Sequence, residues 1–433
     1  MTRPPLGPAG LREVPCPACA HQVAVSFFDG GAQPLATLGW PGSAEEAHAM
    51  ERLPLDFVRC VECGHVFNAA FDYRAVPYST KPNLMFNRAP GWSQHLETTR
   101  QVLLDRLPPA PVVIEIGHGD GHFLNALAAA RPEGRYMGFD PHGATTSARE
   151  QVDLRPGLFV PARDLAGLKP DLIVSRHVLE HLTNPVGFIQ QLSFAAAWAG
   201  FSPALFVEVP CIDRALATGR TFDFYYEHNS HFTTDSFRRM LARCGCTIEH
   251  LGHGYDREVV YALVRLSARP PQLAHATAAL GFRDRAARAR DTLRAELRDL
   301  AETGETVAVW GGSGTSAAFM GQAGADAERF PLVVDSDRDK VGTFVPGTGQ
   351  EIRFRDWLST HPVDVVIIPT HWRACDIVRE MATHGITCSR VLIEFEGRLV
   401  DYFSSAHPYP VDDAARASVV TAHSPAIAGG SQG

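Results

Sequence analysis

The chain has 433 residues, 45% of them hydrophobic and 20% charged, with a net charge of −8 at neutral pH. Single hydrophobic cores rarely grow beyond about 250–300 residues, so more than one domain is expected. The acidic balance offers no footprint for a phosphate backbone, and no segment approaches the about 18 apolar residues that span a bilayer, so nucleic-acid and membrane partners are excluded and a cytoplasmic location is expected.

The first 72 residues carry two matched Cys-x-x-Cys pairs, Cys16/Cys19 and Cys60/Cys63, around Gly/Pro-rich turns such as "DGGAQPLATLGWPGS". Four thiolates at this spacing suit a closed tetrahedral Zn²⁺ site, structural rather than catalytic, that would staple a module too small for its own core. Independent buried thiols are the alternative. The other five cysteines read as small hydrophobes.

Residues 73–268 begin with a helix in "GWSQHLETTRQVLLDRL" and then alternate apolar strands ("VVIEIG", "YMGFD", "DLIVSR", "ALFVEVP") with helices. That alternation implies a parallel sheet covered on both faces. "TIEHLGHG" and "VVYALVRL" close the unit as an antiparallel pair. Residues 269–412 restart the alternation behind a long connecting helix, with strands in "TVAVWGG", "FPLVVDSD", "VDVVIIP" and "RVLIEF", so a second α/β domain is expected. Residues 413–433 are small, polar and Gly-rich, which reads as a disordered tail.

In "VVIEIGHGDGHFL" a strand runs into Glu115, Gly117, Gly119 and Gly121 and then a helix. Glycines here let the backbone turn sharply and approach a ligand, and the helix offers free N–H groups. The nicotinamide fingerprint needs its third glycine one residue later, where this chain has His122. The acidic residue two before the first glycine instead fits the first motif of class I S-adenosylmethionine enzymes. Asp140, ending "YMGFD", is placed to accept both ribose hydroxyls. His177 falls in the loop expected beneath the cofactor, and Asp164 reads either as an adenine contact or as a surface carboxylate.

With these motifs in place the chain resembles the three-domain C-methyltransferases that act on nucleotide-linked ketosugars. The resemblance covers roughly residues 14–400 and rests on the four cysteines, the glycine loop and Tyr225-x-Glu227-His228 in "YYEHNSHF". It also takes in Tyr78 in "PYST" and His181 in "VLEHL". It implies an α/β fold in three parts: a small N-terminal zinc-binding module, a class I S-adenosylmethionine methyltransferase Rossmann-like domain, and a second C-terminal Rossmann-like domain. It also implies C-methylation α to the ketone of a nucleotide-activated sugar.

The residue types make chemical sense of that reading. A carbon is not nucleophilic until a proton beside the carbonyl is removed, so a base and a group that holds the enolate oxygen are both needed. His228 is the expected base, oriented by Glu227. Tyr225 is the expected donor to the enolate oxygen, with His181 and Tyr78 as further acid/base groups; buried hydrogen-bonded polar groups are the alternative for all five. His231 is expected only to cap the next helix.

In the last domain, Gly312, Ser313 and Gly314 form a strand-to-helix turn suited to an anion, and Lys340 follows in "DSDRDKVG". These four are the expected substrate-anchoring residues, with a packing turn as the alternative. Thr315 and Ser316 stand where the family usually has a lysine, and "PTHWRAC" replaces its Trp-Asn pair. An O- or N-methyltransferase on another biosynthetic intermediate is the competing expectation.

Overall fold

The computed structural model describes residues 10–38, 40–77, 87 and 89–420, so Tyr78 and the segment 421–433 lie outside the described residues. Described residues up to Ala274 form one compact unit, and those from His275 form another.

The first unit holds two sheets. One is antiparallel and orders β1 (Leu11–Glu13), β2 (Val23–Gln33), β3 (Leu53–Cys60), β4 (Val66–Asn68) and a late arrival, β10 (Ser230–His231). The N-terminal module therefore does not end its structure at residue 72. Its third and fourth strands bury Val58 and Phe67 in the same apolar cluster as Ile116, Phe139 and Val207 of the second sheet. The physical reason is size: a module this short cannot enclose a core alone, so it shares one and borrows a strand.

The second sheet contains β5 (Val112–Ile116), β6 (Arg135–Asp140), β7 (Val152–Pro156), β8 (Leu172–Arg176), β9 (Ala204–Pro210), β11 (Thr247–Gly254) and β12 (Val259–Arg265). Their order is β11-β12-β9-β8-β5-β6-β7, parallel except for β12, which runs antiparallel to both neighbours. This is the class I methyltransferase sheet. Central strands such as "LIVSR" are apolar without alternation because helices cover both faces, and Leu172, Ile173 and Val174 are all buried. The strand order reverses between β5 and β8, which opens a crevice at their carboxyl ends.

The second unit is a Rossmann-like sheet of β13 (Val307–Trp310), β14 (Leu332–Asp335), β15 (Ile352–Phe354), β16 (Val365–Ile368), β17 (Arg390–Phe395) and β18 (Arg398–Asp401), in the order β15-β14-β13-β16-β17-β18. All neighbours are parallel except the β17/β18 hairpin. The expected connecting helix is Pro270–Glu302, and its Leu293, Leu297 and Leu300, at helical spacing, are buried against Val307, Phe319 and Phe330.

One expectation fails in the tail. Residues Asp413–Val419 form a helix capped by Asp412, whose side chain accepts from the Ala415 N–H. Val419 is fully buried, and its carbonyl accepts from the Cys388 N–H at 3.0 Å. Ala415 and Val419, four apart, supply one apolar stripe in a segment whose composition hides it.

Candidate active site

The glycine loop follows β5. Gly117, Gly119 and Gly121 have φ of +76°, +57° and +74°, and a Cβ at Gly117 would lie 2.4 Å from Val178 Cγ2, so geometry and space both demand glycine at the first position. Gly121 caps helix His122–Ala130. Asp140, at the carboxyl end of β6, accepts from the Gly119 N–H (3.1 Å) and the His142 N–H (2.8 Å), which fixes its carboxylate beside the loop.

Glu115 is 2% exposed, and its Oε2 has no hydrogen-bond partner among the described residues. Burial pushes its carboxyl up to about 8, opposed by the Arg176 charge. A buried carboxylate with one oxygen lacking a donor, beside a left-handed glycine turn and a helix N-terminus, fits the cationic amino end of S-adenosylmethionine. Glu115, the loop amides and Asp140 would hold that cofactor.

The Glu115 shift sets a pH dependence with a definite sign. Because the folded state holds the proton more tightly than the unfolded chain, its contribution to stability is full below the ordinary carboxylate range. It is lost as pH rises through about 8. The thermal midpoint of cofactor-free protein should therefore fall between about pH 5 and 8. Glu115→Gln should flatten that fall in a pH series of melting curves; an unchanged slope in the variant would show that other groups cause it.

Sequence reasoning missed His118. Its imidazole is 5% exposed, neither nitrogen has a partner among the described residues, and Gly138 and Gly143 are pressed against it, so that a Cβ at either would come within 2.6 Å. The only sequence signal was its place between two loop glycines. Asp164 is spent locally: its carboxylate accepts from the Val160 N–H (2.7 Å) and pairs with Arg163, an arrangement that closes the first turn of helix Pro161–Leu168.

His177 lies against protein carboxylates. It follows β8 with φ of +53°, and its ring lies between Glu180 (3.3 Å) and Glu208 (3.2 Å). Burial opposes its charge, but the two carboxylates outweigh it and raise the imidazole to about 9. Glu208 also pairs with Arg176 (3.0 Å) and His95 (2.7 Å), making a buried polar network beneath the crevice that leaves no local mark in the sequence.

The acid/base candidates converge. Tyr225 Oη lies 2.9 Å from His228 Nε2, and the His181 and His228 rings stand edge to face with centroids 4.9 Å apart. His181 Nδ1 lies 2.8 Å from the Glu227 carbonyl oxygen. A carbonyl only accepts, so Nδ1 carries a proton, and in the neutral ring the His181 lone pair is on Nε2. Burial first, and then the neighbouring imidazoles, hold His228 well below the usual imidazole range, and burial raises the Tyr225 hydroxyl. Both members of the pair are therefore held neutral near pH 7, the imidazole with a lone pair and the phenol with its proton.

Glu227 departs from its expected place. Instead of orienting His228 by its carboxylate, it is fully buried toward the N-terminal module and accepts from the backbone N–H groups of Ala36 (3.1 Å), Thr37 (2.7 Å) and Leu38 (3.1 Å), and from the Thr37 hydroxyl (3.1 Å). The reason is electrostatic: three successive amides form an anion cradle that a neighbouring imidazole cannot match. His231 does not cap the next helix. It pairs with Val66 in β10, and Thr233 with Ser236 forms the capping box.

The four N-terminal cysteines are all buried and meet, with Cys16 and Cys63 Sγ atoms 3.7 Å apart and those of Cys19 and Cys60 3.6 Å apart. A tetrahedron with metal–sulfur bonds of about 2.3 Å has an edge of about 3.8 Å, so the donor set fits a metal ion. Glu180, His181 and His228, and separately Cys211, Asp213 and His253, also bring ligand-type atoms within 4.8 Å of one another. In the second group the Thr234 hydroxyl already bonds His253 (2.7 Å) and Asp213.

In the second unit Gly312 donates its N–H to Asp335 (3.0 Å), at the end of β14, and Ser313 and Gly314 are exposed at the start of helix Thr315–Ala323. Lys340 turns inward to Asp335 (3.2 Å) and Asp337 (3.6 Å), so its charge is already answered.

Residues 92–251 match the methyltransferase domain family, and residues 260–388 match the C-methyltransferase C-terminal domain family. No curated protein matches the chain in sequence. Among solved structures, an S-adenosylmethionine-dependent methyltransferase from Aquifex aeolicus is 12% identical, covering 41% of this chain and 94% of that one, with a TM-score of 0.31. Human N-acetylserotonin methyltransferase in complex with S-adenosylmethionine is 16% identical over 41% of this chain and 53% of its own, at 0.33. Magnesium protoporphyrin IX methyltransferase from Synechocystis, with bound S-adenosylhomocysteine, is 18% identical over 41% and 84%, at 0.30. At such scores the fold assignment rests on the strand order. No helix among the described residues is long and apolar enough to cross a membrane. The two family matches give the chain a methyltransferase domain at residues 92–251 and a C-methyltransferase C-terminal domain at residues 260–388, which makes it a methyltransferase.

Proposed function

We propose that the enzyme methylates a carbon α to a ketone on a nucleotide-linked sugar. The observation that carries this reading is the hydrogen-bonded Tyr225–His228 pair beside His181, in segments that follow the carboxyl ends of β8 and β9. The glycine loop leaves the same edge of the sheet. An oxygen or nitrogen acceptor already has a lone pair and needs at most a base for its own proton, whereas a carbon acceptor needs a base and an oxyanion partner together.

S-adenosylmethionine, when bound, supplies an electrophilic methyl group. His228 takes the α-proton of the sugar ketone, Tyr225 donates to the oxygen that gains charge, and His181, with its lone pair on Nε2, serves as the second acid/base. The exposed amides at Ser313 and Gly314 are the proposed seat of the diphosphate. Lys340 contributes by holding Asp335 against Gly312 rather than by direct contact. The four thiols take Zn²⁺, a closed site that serves structure.

The test is product analysis. Methyl-¹³C-labelled cofactor and a panel of nucleotide-linked ketosugars should yield a methyl group whose carbon couples to a sugar carbon. A methyl attached to oxygen or nitrogen would overturn the reading.

A further inference from the structure

We propose that Glu227 is a positioning residue, through which the N-terminal four-cysteine module sets the protonation pattern of the histidine cluster. This goes beyond the proposed reaction and rests on it only in taking His181 and His228 as the acid/base groups.

Three observations converge on this residue. Its carboxylate is clamped by four donors from residues 36–38, between β2 and helix Ala44–Ala49 of the module. Its own carbonyl receives the His181 Nδ1–H, which places the lone pair of that ring on Nε2. Its peptide leads directly into His228, whose Nε2 faces Tyr225. A shift of the Glu227 side chain in its cradle would therefore move the acceptor that selects the His181 tautomer, and would move His228 with it.

The surrounding loop is moulded by the same module. Phe224 packs its ring against Phe27, Phe28 and Phe57, with centroids 5.4–5.5 Å away. The Tyr226 hydroxyl accepts from the Asp72 N–H at 2.8 Å, and the Asn229 carbonyl from the Asn68 N–H at 3.0 Å. Those contacts hold the loop in place generally, whereas the Glu227 contact leads to the His181 ring through the same residue's carbonyl. Backbone amides recognise a carboxylate better than an amide, whose NH₂ would oppose one of them, so Glu227→Gln is the discriminating change.

The experiment uses full-length, metal-loaded protein with ¹⁵N-labelled histidine. The His181 signals, assigned by their loss in His181→Ala, should report a neutral Nδ1–H ring. In Glu227→Gln they should move toward mixed tautomers, with kcat down about 10–100-fold and cofactor affinity unchanged, as for loss of a group that orients a histidine. Tyr226→Phe, which removes a contact of the same loop to the same module, should lower the melting midpoint and leave the tautomer and kcat alone. Should Glu227→Gln fail to fold, Thr37→Val removes one of the four donors and should give a smaller change of the same kind. A Glu227→Gln or Thr37→Val protein with a wild-type His181 tautomer and kcat, altered only in melting, would overturn the proposal. The tautomer is read without any acceptor, so it decides this point even if methylation proves to occur at oxygen or nitrogen.

Discussion

Replacement of His228 by alanine should lower methyl transfer by about 10²–10⁴-fold, the range that a positioned general base contributes. Binding of S-adenosylmethionine should be unchanged, because the groups expected to hold it, Glu115, the glycine loop and Asp140, belong to β5, β6 and the turn between β5 and its helix. The size follows from the chemistry: without a base the α-carbon has no electron pair to offer, and Tyr225 cannot substitute because burial raises its hydroxyl further above neutrality. Tyr225→Phe should cost less, since the hydroxyl assists charge on oxygen and does not remove the proton. Single-turnover rates with calorimetric cofactor titrations would separate the two effects. A His228→Ala enzyme within tenfold of wild type would remove that imidazole from the mechanism.

The second large effect concerns the four thiols. Exchange of Cys63 for serine, or removal of the metal by a chelator, should destabilise the first unit severely. Apparent binding free energies of structural Zn²⁺ sites, about 10–16 kcal/mol, rival the about 5–15 kcal/mol that holds a whole domain. Even about 4 kcal/mol of that would lower a melting midpoint by about 8–16 °C in a unit of this size. The loss should spread beyond the module, because Val58 and Phe67 share a core with Ile116 and Val207, and β4 pairs with β10 beside the histidines. Calorimetry with and without chelator measures this. A midpoint indifferent to both changes would mean that the cysteines are buried thiols and nothing more.

What the sequence made legible was local. Glu115, the glycines and Asp140 could be read because a strand, a turn and the next strand place them within one βαβ unit, and the apolar runs of β5, β8 and β16 announce buried parallel strands. The thiol pairs were legible because their spacing carries the chemistry. The Glu227 cradle was not, since its amides lie 190 positions away and backbone donors leave no mark in a sequence. The same holds for His177, whose charge depends on Glu208 two elements later, and for Lys340, whose partner Asp335 turns it inward. His231 was misread because strand pairing with Val66 is a long-range event, and the helix at 413–419 because two apolar residues in a bland segment suffice once a surface exists to receive them.

Carbon acidity is the most direct test of the central claim. Wild-type enzyme, given a nucleotide-linked ketosugar in heavy water with no cofactor, should exchange the α-hydrogen for deuterium, detected by NMR of the recovered sugar. Absence of exchange, together with methylation of an oxygen or nitrogen when cofactor is supplied, would contradict the account.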